Sequence, residues 1–349
     1  MSKIEVGILG ATGMVGQHFI KFLDGHPLFE LTWLGASERS AGKRYREAAK
    51  WNLAGAAPDA IAGKTVSEAK PGGNAPKLVF SAMDASVATE IEQAFAAAGH
   101  LVVSNSKNHR MDRDVPLIVP EVNADHLQLA ADQRKTRGWK GMIVTNPNCS
   151  TIVLTVALAP LKQFGITRII TTTMQAVSGA GYPGVPSMDI LGNVIPYIGG
   201  EEEKIQQETQ KILGDFAGDH IEPLAAKVSA HCNRVAVVDG HTITVSVEFS
   251  SSPSEADLRH ALETFSGVPQ QRNLPSAPDR PVIYMPEADR PQPRKDAERE
   301  HGMATFVGRL RPCPVFDWKF VALSHNTVRG AAGAAVLNAE LMHSEGLLR

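Results

Sequence analysis

Cysteine is scarce in this 349-residue chain, which has three: Cys149, Cys232 and Cys313. They lie far apart and form no CxxC pair, so neither a disulfide framework nor a paired-cysteine zinc site is expected, and no metal. Charge of one sign is lacking too. Lys and Arg number 35 against 37 Asp and Glu, a net charge of -2, and the pI is near 6.6. That balance argues against a nucleic-acid-binding face. No apolar run is long enough to cross a bilayer, so no membrane partner is expected. The opening residues, MSKIEVGILGATG, lack the apolar core and cleavage site of a secretory leader, and the chain is expected to be cytoplasmic. There is no internal repeat. What remains is the composition of an ordinary globular protein, 43% hydrophobic and 21% charged, at a length that suits two domains.

Residues 4–9 form a short apolar strand pattern, followed by glycines and an apolar-periodic stretch from Met14 to Leu23. Further strands are expected at Phe29–Leu34, Lys77–Ala82, Leu101–Ser104, Leu117–Val119 and Met142–Thr145. Asp84 is placed to N-cap an Ala-rich helix that ends near Gly99. Buried strands alternating with helices imply an α/β fold, a Rossmann-type doubly wound parallel sheet. From Asn148 the pattern changes. A helix over Cys149–Gln163 leads into a β run at Thr167–Val177, then a Gly/Pro-rich loop and a polar helix near Glu201–Leu213. Strands are expected at Val235–Val238, Thr242–Glu248, Ala304–Gly308 and Phe316–Leu323. These suggest a second, α+β domain with a mostly antiparallel sheet and helices on one face. Pro275–Arg294, rich in Pro and charge, is expected to be an exposed loop. The expected division is 1–147, 148–326 and a C-terminal helix, 327–349, that packs back on the first domain.

Gly10, Ala11, Thr12, Gly13, Met14, Val15 and Gly16 give G-x-x-G-x-x-G between a strand and a helix. Glycine lets the backbone turn sharply and approach a pyrophosphate, and the helix N-terminus supplies N–H donors. The flanking strand and helix are the context that turns a glycine triplet into a dinucleotide site. An NAD enzyme usually carries Asp or Glu at the end of the second strand. Here Ser37, Glu38, Arg39, Ser40 and Lys43 follow it. Hydroxyls and cations suit the 2′-phosphate of NADP, with Glu38 as the one discordant residue.

Cys149 sits in Thr-Asn-Pro-Asn-Cys-Ser-Thr where an apolar helix begins, a setting expected to lower a thiol pKa and favour the nucleophilic thiolate. Asn148 reads either as the helix N-cap or as an amide donor to an oxyanion. Cys232 and Cys313 have no such setting. A thiolate that forms a thioester needs an acid/base partner. His241, after the Asp239-Gly240 turn, is placed to point into a cleft.

Seven segments in one order carry a wider resemblance: GILGATGMVGQ, SNSKNHRMDRDVPLIVPEVN, TNPNCSTIVL, QAVSGAGYPG, GGEEEKIQQET, CNRVAVVDGHT and KFVALSHNTVRGAAGAAVLNAEL. Together they resemble the aspartate-semialdehyde dehydrogenases, in the subgroup typical of archaea and fungi. The resemblance implies roles. Cys149 matches the nucleophile and His241 the acid/base. Arg234 matches the grip on the substrate α-carboxylate, and Arg110 with Lys204 the phosphate site. Glu201 matches a carboxylate near the substrate ammonium or Lys204, and Gln175 a glutamine near the thioester. Ser81, Asn105, Ser178, Gly179, Asn326 and Thr327 fall at cofactor positions. Taken singly, Arg110 and Arg234 also read as surface ion-pair residues, and Glu201 and Lys204 as an i,i+3 pair on a helix.

The implied reaction is NADP-dependent reductive dephosphorylation of L-aspartyl 4-phosphate to the 4-semialdehyde through a cysteine thioester. That places the chain in the aspartate route to lysine, threonine, methionine and diaminopimelate. A homodimer or homotetramer is implied, with the second sheet at the interface. Malonyl-CoA reductase shares the thioester chemistry and is the nearest rival. The N-acetylglutamyl-phosphate reductases are disfavoured by SHNTVRGAAG and DGHT. A non-catalytic NADP-binding redox sensor would leave Cys149, His241 and Arg234 idle. Arg39→Ala is expected to raise the KM for NADP well above any effect on NAD. Equal effects in steady-state assays with both cofactors would remove Arg39 from a 2′-phosphate site.

Overall fold

A computed structural model describes residues 2–348. Six strands form the first sheet: β1 (Ile4–Leu9), β2 (Phe29–Ala36), β3 (Ser67–Glu68), β4 (Leu78–Ser81), β5 (Leu101–Ser104) and β6 (Met142–Thr145). Their order is β3-β2-β1-β4-β5-β6, with every pairing parallel. β4, β5 and β6 are buried along their whole length, as a sheet covered on both faces requires. The order reverses between β1 and β4, and an open α/β sheet leaves its ligand crevice at such a point. The helix Ala85–Ala98 starts where Asp84 accepts a hydrogen bond from the Ser86 N–H and stops at Gly99, φ 107°.

After a two-strand hairpin in between, β8 (Asp215–Phe216) and β9 (Ile221–Glu222), the second sheet is completed around β7 (Ile166–Gln175). Its other strands are β10 (Lys227–Arg234), β11 (His241–Phe249), β12 (Val282–Met285), β13 (Thr305–Pro312) and β14 (Trp318–Ser324). Their order is β10-β7-β11-β14-β13-β12. The inner pairings are antiparallel, and the two outermost, β10/β7 and β12/β13, are parallel. The helix Cys149–Leu158 is mostly apolar, is buried from Ser150 onward and packs into the core beneath this sheet. Such a helix belongs inside a protein. No helix among the described residues is long and apolar enough to cross a membrane.

Several local expectations are corrected. Leu117–Val119 is not a strand; it makes one bridge, Leu117 to Thr145, because Pro116 and Pro120 bracket it and Pro120 opens a helical turn. Val235–Val238 lies beyond β10, and its carbonyls at 237 and 238 accept from Val177 and Ser178 instead of from a ladder. The stretch Pro275–Arg294 is not all loop. It carries β12, whose Val282 and Met285 are buried, as an edge strand entered from Pro281. β3 had no signal beyond two residues.

The C-terminal segment leaves β14, makes a π-helical turn at Val328–Ala332, and continues as the helix Gly333–Ser344. Ala335, Val336, Leu337 and Met342 share a core cluster with Val6, Ile8 and Phe19 of the first sheet layer. Arg329 in the π-turn is fully buried and pairs with Glu121 at 2.6 Å, also with no exposed side chain. Its neighbour Gly330 lies against Cys149 so closely that a Cβ there would meet the Cys149 Cβ at 2.7 Å. Glu121→Ala leaves the Arg329 charge buried and unpaired. The expected loss is about 3–5 kcal/mol, read as a lowered chemical-denaturation midpoint. A midpoint unchanged from wild type would mean that Arg329 does not depend on this partner.

Candidate active site

The glycine turn follows β1. Gly10 has φ 77°, and a Cβ there would meet the Ala82 carbonyl oxygen at 2.6 Å; one at Gly16 would meet the Gly10 oxygen at 2.4 Å. Only glycine fits both, and the turn delivers the helix Met14–Leu23 with the extended Gly13 as its first flanking residue. From the end of β2 to the helix Ala85–Ala98 runs a cleft of about 500 Å³, lined by Ser37, Arg39, Lys70, Met83, Val87 and Ile91 among others. Ser40 does not line it; its N–H closes a turn on the Ser37 carbonyl. Lys70 is a further cation there, with no motif around it to mark it. Its Nζ sits 2.5 Å from Glu68 and 4.0 Å from Glu38.

Some expected cofactor residues look elsewhere. Ser81 is fully buried and its hydroxyl donates to Glu92 at 2.6 Å, so its side chain does not face a groove. Asn105 accepts from Asn146 through Oδ1, and its Nδ2 is buried with no partner among the described residues. Asn326 accepts from the Gly240 N–H and donates to the Ser178 hydroxyl, both at 2.8 Å, and so braces the turn before His241. The Thr327 hydroxyl lies 3.3 Å from His325 Nδ1. A Cβ at Gly179 would come within 2.9 Å of both Arg234 Nη1 and His241 Cε1, which explains glycine there.

Sheet register gathers the rest. β7 lies between β10 and β11, with Arg234 opposite Gln175 and Thr242 opposite Met174. Arg234, Gln175 and His241 therefore stand at one end of three adjacent strands. Cys149, the first residue of its helix, meets them there: Sγ is 3.2 Å from His241 Nε2. Asn148 is the N-cap, its side-chain oxygen accepting from the Ser150 and Thr151 N–H groups. Its Nδ2 is committed to Glu201 at 2.7 Å, so the cap reading holds and the amide is already engaged. Glu201 also accepts from Lys204 at 2.7 Å and Gln175 at 3.3 Å. Arg234 Nη1 donates to the Ala176 carbonyl at 2.8 Å.

The same residue, Ala176, donates its N–H to His241 Nδ1 at 3.1 Å. Nδ1 is thus an acceptor, and the neutral ring carries its proton on Nε2, facing the sulfur. Burial, then Arg234 and His325, push His241 down to about 3. Cys149 keeps part of its surface in contact with solvent. Even so, burial of the sulfur, then Glu201, push the thiol up to about 12, against Arg110, Arg234 and the Ser150 N–H. The expected lowering of the thiol pKa is therefore corrected. The helix terminus pulls the right way, but desolvation is the larger effect. Burial acts to raise Glu201 as well, but hydrogen bonds from Lys204, Asn148 and Gln175 outweigh it and hold the carboxylate below its usual range.

Residues 5–130 match the family described as semialdehyde dehydrogenase, NAD binding domain, and residues 158–329 the semialdehyde dehydrogenase dimerisation domain. The aspartate-semialdehyde dehydrogenase of Methanothermobacter thermautotrophicus is 51% identical, over 97% of this chain and 99% of that protein. The chain belongs to the aspartate-semialdehyde dehydrogenase family. As a member of that family it is an oxidoreductase of amino-acid biosynthesis. The Candida albicans aspartate semialdehyde dehydrogenase, solved with NADP, superposes with a TM-score of 0.91 at 43% identity, over 99% of this chain and 100% of that one. An aspartate semialdehyde dehydrogenase II of Vibrio cholerae, solved in complex with ASA, gives 0.78 at 27% identity, over 99% of each chain.

Because thiol and imidazole both rest neutral, alkylation of Cys149 by iodoacetamide in the free enzyme should keep accelerating with pH through about pH 9, read against a Cys149→Ser background. A rate that levels off below about pH 7 would reveal a preformed thiolate–imidazolium pair instead.

Proposed function

We propose that this protein catalyses the NADP-dependent reductive dephosphorylation of L-aspartyl 4-phosphate to L-aspartate 4-semialdehyde through a thioester on Cys149. One observation carries the reading: the Cys149 sulfur lies 3.2 Å from an imidazole and within electrostatic reach of two arginines, Arg110 and Arg234, that can hold the two ends of a dianionic substrate. The crowded Gly10 and Gly16 leave backbone where a dinucleotide pyrophosphate would pack. The cleft beside Arg39 and Lys70 suits an adenosine 2′-phosphate. NADPH bound along that groove supplies the hydride that reduces the acyl carbon.

This chain's own residues do the rest. Arg234 holds the α-carboxylate, and its planar fork suits that bidentate task. Arg110 and Lys204 hold the phosphate, and Glu201 meets the ammonium. With both anions fixed, the acyl carbon is delivered to Sγ, which lowers the entropic barrier to attack. The sulfur attacks, phosphate departs, and the acyl group rests on Cys149. The resting thiol must lose its proton first. His241 can accept it only after its own proton moves to Nδ1, which breaks the Ala176 bond. Otherwise the substrate's phosphate carries the thiol proton away as it departs, and the Nε2–H steadies the anionic sulfur.

Arg110 supports an acyl phosphate over malonyl-CoA, because it places a cation beside the sulfur where a small anionic leaving group departs. The dimerisation-domain match, with Tyr182, Met188, Leu191, Val194 and Tyr197 exposed along one segment of that domain, supports a homodimer. A cytoplasmic location fits this activity. Oxidation of aspartate semialdehyde by NADP should depend on added phosphate, and Cys149→Ser should abolish it while NADP still binds by fluorescence titration. Substantial turnover by that variant would rule out the thioester.

A further inference from the structure

Glu208 has no part in the chemistry above, yet it is buried at the centre of the site. One carboxylate oxygen accepts from Arg110 Nη1 at 2.9 Å, and the other accepts from the Asn148 N–H at 2.7 Å. It therefore joins the cation assigned to the phosphate to the peptide immediately before the nucleophile. We propose that Glu208 is a positioning residue that sets where Arg110 stands relative to Cys149. This rests on the reading of Arg110 as a phosphate ligand.

The neighbouring contacts support a built frame. Glu201, Lys204, Glu208 and Lys211 recur at helical spacing along one stripe of the helix Glu201–Ile212. Glu201 holds the Asn148 side chain and Glu208 its backbone. Lys211 donates to the carbonyls of Arg110, Asp112 and Val115 at 2.8, 2.8 and 2.9 Å, fixing the loop that carries the arginine. Arg110 Nη2 is tied to the Asn105 carbonyl at 2.8 Å, and Nε has no partner among the described residues. Among the described residues the guanidinium thus has one anionic anchor, and that anchor also grips the nucleophile's turn.

A buried ion pair adds little net stability and is often matched by apolar residues of the same volume. The contact is better explained by geometry. Phosphate and acyl carbon are one bond system, so the distance from Arg110 to Sγ decides whether a held phosphate leaves the carbon in reach. Displacement by about 1 Å costs on the order of 10²-fold in rate.

The test is Glu208→Gln in the full-length enzyme, assayed with NADP, phosphate and aspartate semialdehyde. Gln keeps the shape and one acceptor but turns an amide N–H₂ toward either Arg110 or Asn148. The phosphate KM should rise at least about tenfold while the semialdehyde KM stays within about threefold, since Arg234, which holds the α-carboxylate, is braced by the Ala176 carbonyl and not by Glu208. A phosphate KM near the wild-type value, or an equal rise in both KM values, overturns the inference. If Glu208→Gln does not fold by circular dichroism, Glu208→Asp is read by the same split, because it keeps the charge but cannot span both partners. Arg110→Ala separates the two layers. If it raises the phosphate KM and the Glu208 variants do not, the positioning inference alone fails. If it leaves the phosphate KM unchanged, the Arg110 assignment fails and takes the inference with it.

Discussion

The burial of one helix is what the rest depends on. Cys149–Leu158 is mostly apolar, buried from Ser150 onward and enclosed by the second sheet, the helix Glu201–Ile212 and the π-turn. A close-packed helix has no freedom to slide, so its first residue has a fixed address. The strand ends that bring Arg234, Gln175 and His241 to that address are fixed in turn by the sheet register. The site is thus a by-product of core packing, with polar side chains placed where three strands and one helix terminus run out together.

That placement has an electrostatic cost, and the structure shows how it is met. The terminus of a buried helix lacks solvent, which favours a neutral thiol over a thiolate. Two guanidiniums and the first-turn N–H groups oppose this, and Glu201 works against them. Desolvation outweighs them and pushes the thiol up to about 12. Ala176 joins this arrangement through its backbone alone, with its carbonyl on Arg234 and its N–H on His241.

Much of this was legible in the sequence because it is local. The strand–glycine–helix start, the Asp84 cap with its Gly99 stop, and Cys149 behind an Asn cap each lie within a few residues of chain. The family resemblance supplied Arg110, Arg234 and Glu201, and the structure brings them around Cys149. What was not legible is non-local. Glu208 is one glutamate in a polar helix, and its partners are 60 and 98 residues away. Lys70 joins the cleft beside Arg39 only through the pairing of β2 with β3. Ala176 acts through backbone atoms that any residue would offer. The expectation about the thiol failed for a related reason: helix position can be read from sequence, whereas desolvation depends on everything packed around the sulfur.

The path of the C-terminal segment has a mechanical consequence. It starts from β14 in the second sheet, presses Gly330 against Cys149, and ends among the apolar residues of the first domain. The two domains are therefore stitched together directly behind the nucleophile. Swinging them apart as rigid halves would drag Ala335, Val336 and Leu337 out of a close-packed interior.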